Sequence, residues 1–252
     1  MSDAARMLDD TLDRLLGRRL SDPVAWAAPE LSQSLADEMR EAGIPLILVP
    51  AEDGGLGGRL ADAAAIAWRC GWHAAPVPIV DMLLPARAHD APANNAWGSL
   101  LITGAMTGAM ARALDIATDY ARMRVQFSRP LSKFQAVQHR LAEAASELAV
   151  TEAVLAAALE AVDQAAGHEL LRLSAKAQAG RAATIVAATA HQVLGAVGFT
   201  QEHQLHRFTR LLWQWRDEWG RQVDCEAATG RAACAAPAGL WAYVSDTEEV
   251  RA

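Results

Sequence analysis

The 252-residue sequence predicts an all-α protein: a small amino-terminal helical domain followed by an antiparallel four-helix bundle. Three observations predict it. Apolar residues recur at three- and four-residue intervals along most of the chain, no strand pattern alternates with the helical ones, and residues 144–190 are rich in alanine, the strongest helix former. Leu8, Leu12, Leu15 and Leu16 make one apolar stripe within residues 5–20. Leu31, Leu35 and Met39 make another within residues 29–42, with Gly43 as its stop. The run from Ile44 to Pro50 is too short and too bounded by proline for a helix, and it passes into a turn-rich loop over residues 52–58. A third helix is predicted over residues 60–70, where the apolar side chains are mostly alanine and suit close packing. Pro76, Pro78, Pro85 and Pro92 then interrupt any long element, which places the expected domain joint there and divides the chain into residues 1–90 and 91–252. Beyond it, helices are predicted over 97–124, 134–166, 168–194, 201–215 and 220–235, and their short connections imply antiparallel neighbours. Gly104 and Gly108, four apart on the first of these, suit a close helix crossing.

The composition, 52% apolar and 21% charged, excludes a disordered or collagen-like chain. Thirty acidic against 23 basic residues give a net charge of −7, which argues against a nucleic-acid partner. No membrane insertion is expected, because apolar runs such as residues 44–50 fall short of the ~20 residues a spanning helix requires. The first twenty residues alternate charge with leucine and lack a signal-peptide pattern. Cys70, Cys225 and Cys234 have neither disulfide-framework nor metal spacing, so a reducing, cytoplasmic setting is expected.

Two stretches stand out from the helical background. In the first, residues 120–131, Tyr120 and Arg124 share a helix face, and Pro130 ends the helix before residue 129. That delivers the Arg124 guanidinium beside a loop with free backbone amides, where it can either hold a diphosphate or serve only as a surface cation near a helix end. In the second, residues 192–203, Gly195 and Gly198 bare the backbone about one turn after Gln192, which fits either a ligand contact or a plain helix cap. Glu202, His203 and His206 crowd into about one helical turn and do not suit convergence on an ion, so no metal site is expected. Trp213, Trp215 and Trp219 fit either the wall of a planar-ligand pocket or an apolar surface that a partner covers.

Together with residues 37–43 and 49–57, these stretches resemble the acyl-CoA dehydrogenase family, whose motifs occur here in the same order over most of the chain. The resemblance implies an amino-terminal helical domain and a carboxy-terminal four-helix bundle, with FAD used to oxidise acyl-CoA thioesters. It also implies a middle β domain, for which the sequence leaves only the proline-rich stretch, so the chain reads as a short form without that domain. In the family the Arg-x-Gln-Phe and Gln-x-x-Gly segments reach across a dimer interface to the ADP half of a neighbour's FAD. The matching residues are Arg124, Gln126, Phe127, Gln192 and Gly195, while Ser128 and Ala196 stand where the family has glycine. The family's carboxylate base matches Trp219, and an alternative family position matches Gly98; neither accepts a proton. Asp217 and Glu218 are the nearest carboxylates to the first of these positions.

The expectation is therefore a subunit of a hetero-oligomeric, FAD-dependent dehydrogenase of acyl-CoA thioesters, steroid-derived ones among them. A full-length acyl-CoA dehydrogenase-like partner would bring the base and most of the FAD site. Two alternatives stay open: a self-sufficient dehydrogenase with Glu218 or Asp217 as base, and a helical scaffold without catalysis.

Overall fold

A computed structural model describes residues 2–21, 26, 28–84, 92–164, 169–236, 239 and 241. Nine α-helices carry these residues: α1 (Asp3–Arg19), α2 (Pro29–Glu41), α3 (Leu60–Trp72), α4 (Ile79–Leu83), α5 (Pro92–Met123), α6 (Gln135–Asp163), α7 (Glu169–Leu194), α8 (Leu205–Asp217) and α9 (Gln222–Ala235). Among the described residues the only strands are β1 (Val125–Gln126) and β2 (Arg129–Pro130), an antiparallel ribbon that pairs Val125 with Pro130 and Gln126 with Arg129. The all-α expectation is met. The long helices α5–α9 form a bundle, and α3 and α4 pack on α5 at its side.

Local chemistry sets the amino-terminal helices. Ser2 Oγ accepts the Ala5 amide at 3.2 Å, and Asp62 accepts both the Ser2 amide (2.9 Å) and the Arg59 amide (3.2 Å). One buried carboxylate therefore ties the starts of α1 and α3 together. Further along, Arg69 of α3 forks onto Asp9 (2.9 and 2.7 Å) and reaches Asp13 (3.0 Å), and His73 adds a 2.7 Å contact to Asp13. The Asp13 carboxyl is held below the usual carboxylate range, first by His73 and then, against the effect of burial, by Arg69.

The seam between α3 and α5 is backbone against backbone. A β-carbon on Gly71 would overlap the Ala105 carbonyl, one on Gly108 the Trp68 carbonyl, and one on Gly104 would lie 2.9 Å from the Ala64 carbonyl. These glycines are fixed by proximity, as the spacing of Gly104 and Gly108 predicts. From this seam a continuous apolar core runs through Leu100, Met106 and Met110 of α5 to Val186 and Ala190 of α7 and Phe208 and Leu212 of α8.

The helix limits differ from expectation in three places, each with a physical cause. The proline-rich stretch holds the short helix α4, capped by Pro78, and α5 starts at Pro92 because a first-turn proline lacks only an amide that would be unpaired anyway. Helix α8 starts at Leu205, four residues late: the Thr200 and His203 amides turn back onto the Val197 and Thr200 carbonyls, and His203 Nδ1 accepts the Leu205 amide at 3.2 Å. The division expected at residues 90/91 and the junction expected at 166–168 lie outside the described residues.

The length argument against membrane crossing is corrected. Asn95–Met123 and Glu169–Phe199 are both long and apolar enough to cross a bilayer, and they are the core helices of this bundle, with 78% and 50% of their most apolar windows buried inside the fold.

Candidate functional site

Helices α5 and α7 run in the same direction, with α6 returning between them. Arg59 at the start of α3 pairs with Asp163 at the end of α6 (3.4 Å), while α3 runs parallel to α5. Two irregular segments consequently share one end of the bundle: the β1–β2 ribbon after α5, and a 3-10 turn over Gly195–Phe199 after α7.

The ribbon turns at Phe127 (φ 50°) and Ser128 (φ 64°), two non-glycine residues in the left-handed region. A hairpin turn with both central residues left-handed matches the twist of its strands, at a cost on the order of 1–2 kcal/mol per non-glycine residue. Phe127 is 87% exposed and meets the edge of Phe134 at 6.3 Å, while Arg129 lies 4.0 Å over the Phe134 ring. The Arg124 side chain is exposed and makes no hydrogen bond or ion pair with the described residues; its main chain holds the ribbon, its amide donating to Tyr120 and its carbonyl accepting from Leu131, both at 2.8 Å.

Across the bundle end, Gln192 is exposed and Gly195 sits at φ 62° with nothing within 4 Å of where a β-carbon would point. Gly198 differs. It is buried against Leu194, Leu205 and His191, so it is a packing glycine and no ligand contact. His191 stacks on Phe199 at 4.3 Å and meets Thr209 Oγ1 at 3.1 Å, and burial with the neighbouring His203 and His206 holds its pKa down. His206 donates from Nδ1 to the His203 carbonyl at 2.7 Å, which ties the first turn of α8 to the segment before it. Arg124, Gln126, Phe127, Gln192 and Gly195 are thus all solvent-facing: one unpaired cation, two amide side chains, one exposed ring and one open stretch of backbone. That donor set suits a phosphate-bearing dinucleotide.

The opposite end of the bundle carries a cavity of about 480 Å³ between α4, the start of α5 and the end of α8. Trp26, Trp215 and Trp219 face it beside Asp81, Arg210 and Glu218. Trp213 does not; it is 42% exposed beneath Arg216, so the three neighbouring tryptophans do not act as one surface. Asp217 is exposed and only 3.7 Å from Arg216, whereas Glu218 borders the cavity and accepts a hydrogen bond from Gln214 at 2.7 Å.

Gly98 and Trp219, the two positions expected from the sequence to match the family's base, touch each other. A β-carbon on Gly98 would overlap the six-membered ring of the Trp219 indole, and Trp219 itself is left-handed at φ 54°. Lys176 braces this turn from behind: wholly buried on α7, it donates from Nζ to the last carbonyls of α8, those of Trp215 (3.1 Å) and Arg216 (2.8 Å). Burial pulls its pKa down to about 8 against the attraction of Cys225, Asp217 and Glu218. Cys225 lies 3.4 Å from the direction of a Gly220 β-carbon, and burial pushes its thiol up. Sequence reasoning missed Lys176, Trp26 and Arg210. A lone lysine in an alanine-rich helix gives no sign that it faces inward.

The arrangement is a helical bundle with an exposed, arginine-bearing ribbon after α5 and an open glycine turn after α7. Residues 93–212 match the family model described as acyl-CoA dehydrogenase, C-terminal domain, and that segment is such a domain. Acyl-CoA dehydrogenase IpdE2 of Mycobacterium tuberculosis is 33% identical over 110 residues, which cover 44% of this chain and 33% of that protein. The chain therefore spans about a third of that relative's length. The fold is similar to a chain of the ChsE4-ChsE5 complex from Mycobacterium tuberculosis (TM-score 0.84, 17% identity, 94% of this chain and 99% of that one). It is also similar to a chain of the Tcur3481-Tcur3483 steroid ACAD G363A variant (TM-score 0.80, 17% identity, 91% and 97%). Among the described residues no β domain stands between the amino-terminal helices and the bundle.

Proposed function

We propose that this chain is a subunit of a hetero-oligomeric, FAD-dependent acyl-CoA dehydrogenase, and that it supplies cross-interface contacts to an FAD held mainly by a full-length, acyl-CoA dehydrogenase-like partner. The observation that carries the reading is the contrast between the two ends of the bundle. At one end Arg124, Gln126, Phe127, Gln192 and Gly195 face outward with no partner of their own for the arginine; at the other, the base positions hold an indole packed on a glycine. Arg124 would neutralise phosphate charge, Gln192 and Gln126 would donate and accept at the ADP half, and Phe127 would cover its apolar face. When bound, FAD supplies a hydride acceptor. The carboxylate that removes the proton α to the thioester then belongs to the partner. The substrate class is an acyl-CoA thioester. Bulky steroid-derived thioesters fit, since one structural neighbour is named as a steroid enzyme. No nucleic acid or membrane partner enters this reading, and the compartment is the cytoplasm.

Co-expression with a full-length family member tests it by visible absorbance and native mass. A yellow mixed complex, with a colourless chain when purified alone, supports the reading. A yellow, active homodimer of this chain overturns it and favours the self-sufficient alternative, with Glu218 at the cavity edge as the candidate base.

A further inference from the structure

The cavity of about 480 Å³ beside α4, α5 and α8 lies far from the flavin contacts proposed above, and its volume is that of a small-molecule site. Trp26, Trp215 and Trp219 border it with the carboxylates of Asp81 and Glu218, and Arg210 is the one cation among its described lining residues. That cation is already placed. Its guanidinium lies 5.8 Å over the Trp26 ring and makes no ion pair with a described residue. Arg210, Gln214 and Glu218 follow at four-residue intervals along α8 and its cap, so about 12 Å of helix axis separates the arginine from Glu218. Glu218 accepts from Gln214 and has no counter-ion, and Asp81 makes neither a hydrogen bond nor an ion pair with the described residues. Trp215 is 3% exposed, yet its indole N–H has no hydrogen-bond partner among the described residues. Buried indole N–H groups ordinarily find one.

We propose that this cavity is a binding site for an organic cation, a quaternary or protonated amine on an apolar body that also carries an acceptor oxygen. The positive charge answers the two carboxylates that lack a counter-ion, and indole rings are the best aromatic surface for such a charge. The oxygen accepts from the Trp215 N–H, and the apolar body fills the remaining volume. Arg210 on Trp26 is the same preference met from within the chain. An anionic ligand faces both carboxylates at once and one guanidinium that is already stacked, so the charge of the site selects against it. This site goes beyond the subunit reading and does not rest on it.

Calorimetric titration of the full chain with benzoylcholine tests this, with hippurate as the anion and N-ethylbenzamide as the neutral compound built on the same benzoyl group. Benzoylcholine is expected to bind saturably at one site per chain and to shift tryptophan emission. The other two compounds are expected to bind at least 10-fold more weakly. Asp81→Asn and Glu218→Gln should each weaken benzoylcholine about 3- to 10-fold, and the double variant more. Should a variant fail to fold, the ranking of the three compounds on the wild-type chain decides. No saturable binding of benzoylcholine, hippurate binding as tightly as the cation, or full affinity in the folded double variant would overturn the proposal.

Discussion

Lys176 and Arg216 are joined by a 2.8 Å hydrogen bond from a buried ammonium on α7 to a main-chain carbonyl at the end of α8. The carbonyls of a final helical turn have no partners within their own helix, and a neighbouring element satisfies two of them here. Lys176→Met keeps the volume and removes the donors. The expected loss is about 1–3 kcal/mol in urea unfolding, with a change in tryptophan emission as the Trp219 turn relaxes.

The same lysine has a pH signature. Burial lowers its folded-state pKa to about 8 from the ordinary 10.5. Between those values the unfolded chain holds a proton that the folded chain gives up, so this group makes the fold gain stability as pH rises from 8 towards 10.5. Below pH 8 the full penalty of the buried charge applies. The stability of wild type relative to Lys176→Met should accordingly rise across that window, and a flat difference would show that the ammonium is not buried.

Asp13 works in the opposite sense. His73 and Arg69 hold its folded pKa below 3.8, so the stability it contributes is present above that value and is lost as pH falls through the folded pKa. The side chain is 46% exposed, so solvent screening keeps the contribution to about 1 kcal/mol. Asp13→Asn should lower the thermal midpoint slightly at pH 7, and the gap should close in acid unfolding as pH falls through the folded pKa.

Arg124→Ala is expected to leave folding unchanged, because the side chain is exposed and makes no hydrogen bond or ion pair with the described residues. In the mixed complex it should weaken flavin retention about 10- to 100-fold, the loss of one charge-assisted contact. Equilibrium dialysis of flavin against the wild-type and variant complexes checks this, and equal retention would remove Arg124 from the cofactor interface.

Glu218→Gln distinguishes the two enzymatic readings. With the base on the partner, turnover by the mixed complex should change less than about twofold, because the new side-chain amide keeps an oxygen that accepts from Gln214. A fall of about 10² or more without flavin loss would make Glu218 the base of a self-sufficient enzyme.

Much of this architecture was legible in advance, for identifiable reasons. Periodic leucines and alanine-rich runs fix helices whatever packs on them, so α1, α2, α6 and α7 fall within a few residues of expectation. The β1–β2 ribbon was not legible, since Phe127 and Ser128 carry no glycine to announce a left-handed turn. Gly195 and Gly198 look alike in sequence and differ in space: one faces open solvent, the other packs against Leu194 and His191. The contact between Gly98 and Trp219 joins residues far apart in the chain, and no local pattern encodes it.

The α3–α5 seam has its own consequence. With the Ala105 and Trp68 carbonyls standing where β-carbons of Gly71 and Gly108 would be, no rotamer change can cushion a misfit there, and a single added methyl acts as a wedge. The leading helices and the bundle are effectively welded, and heat should melt them in one calorimetric event.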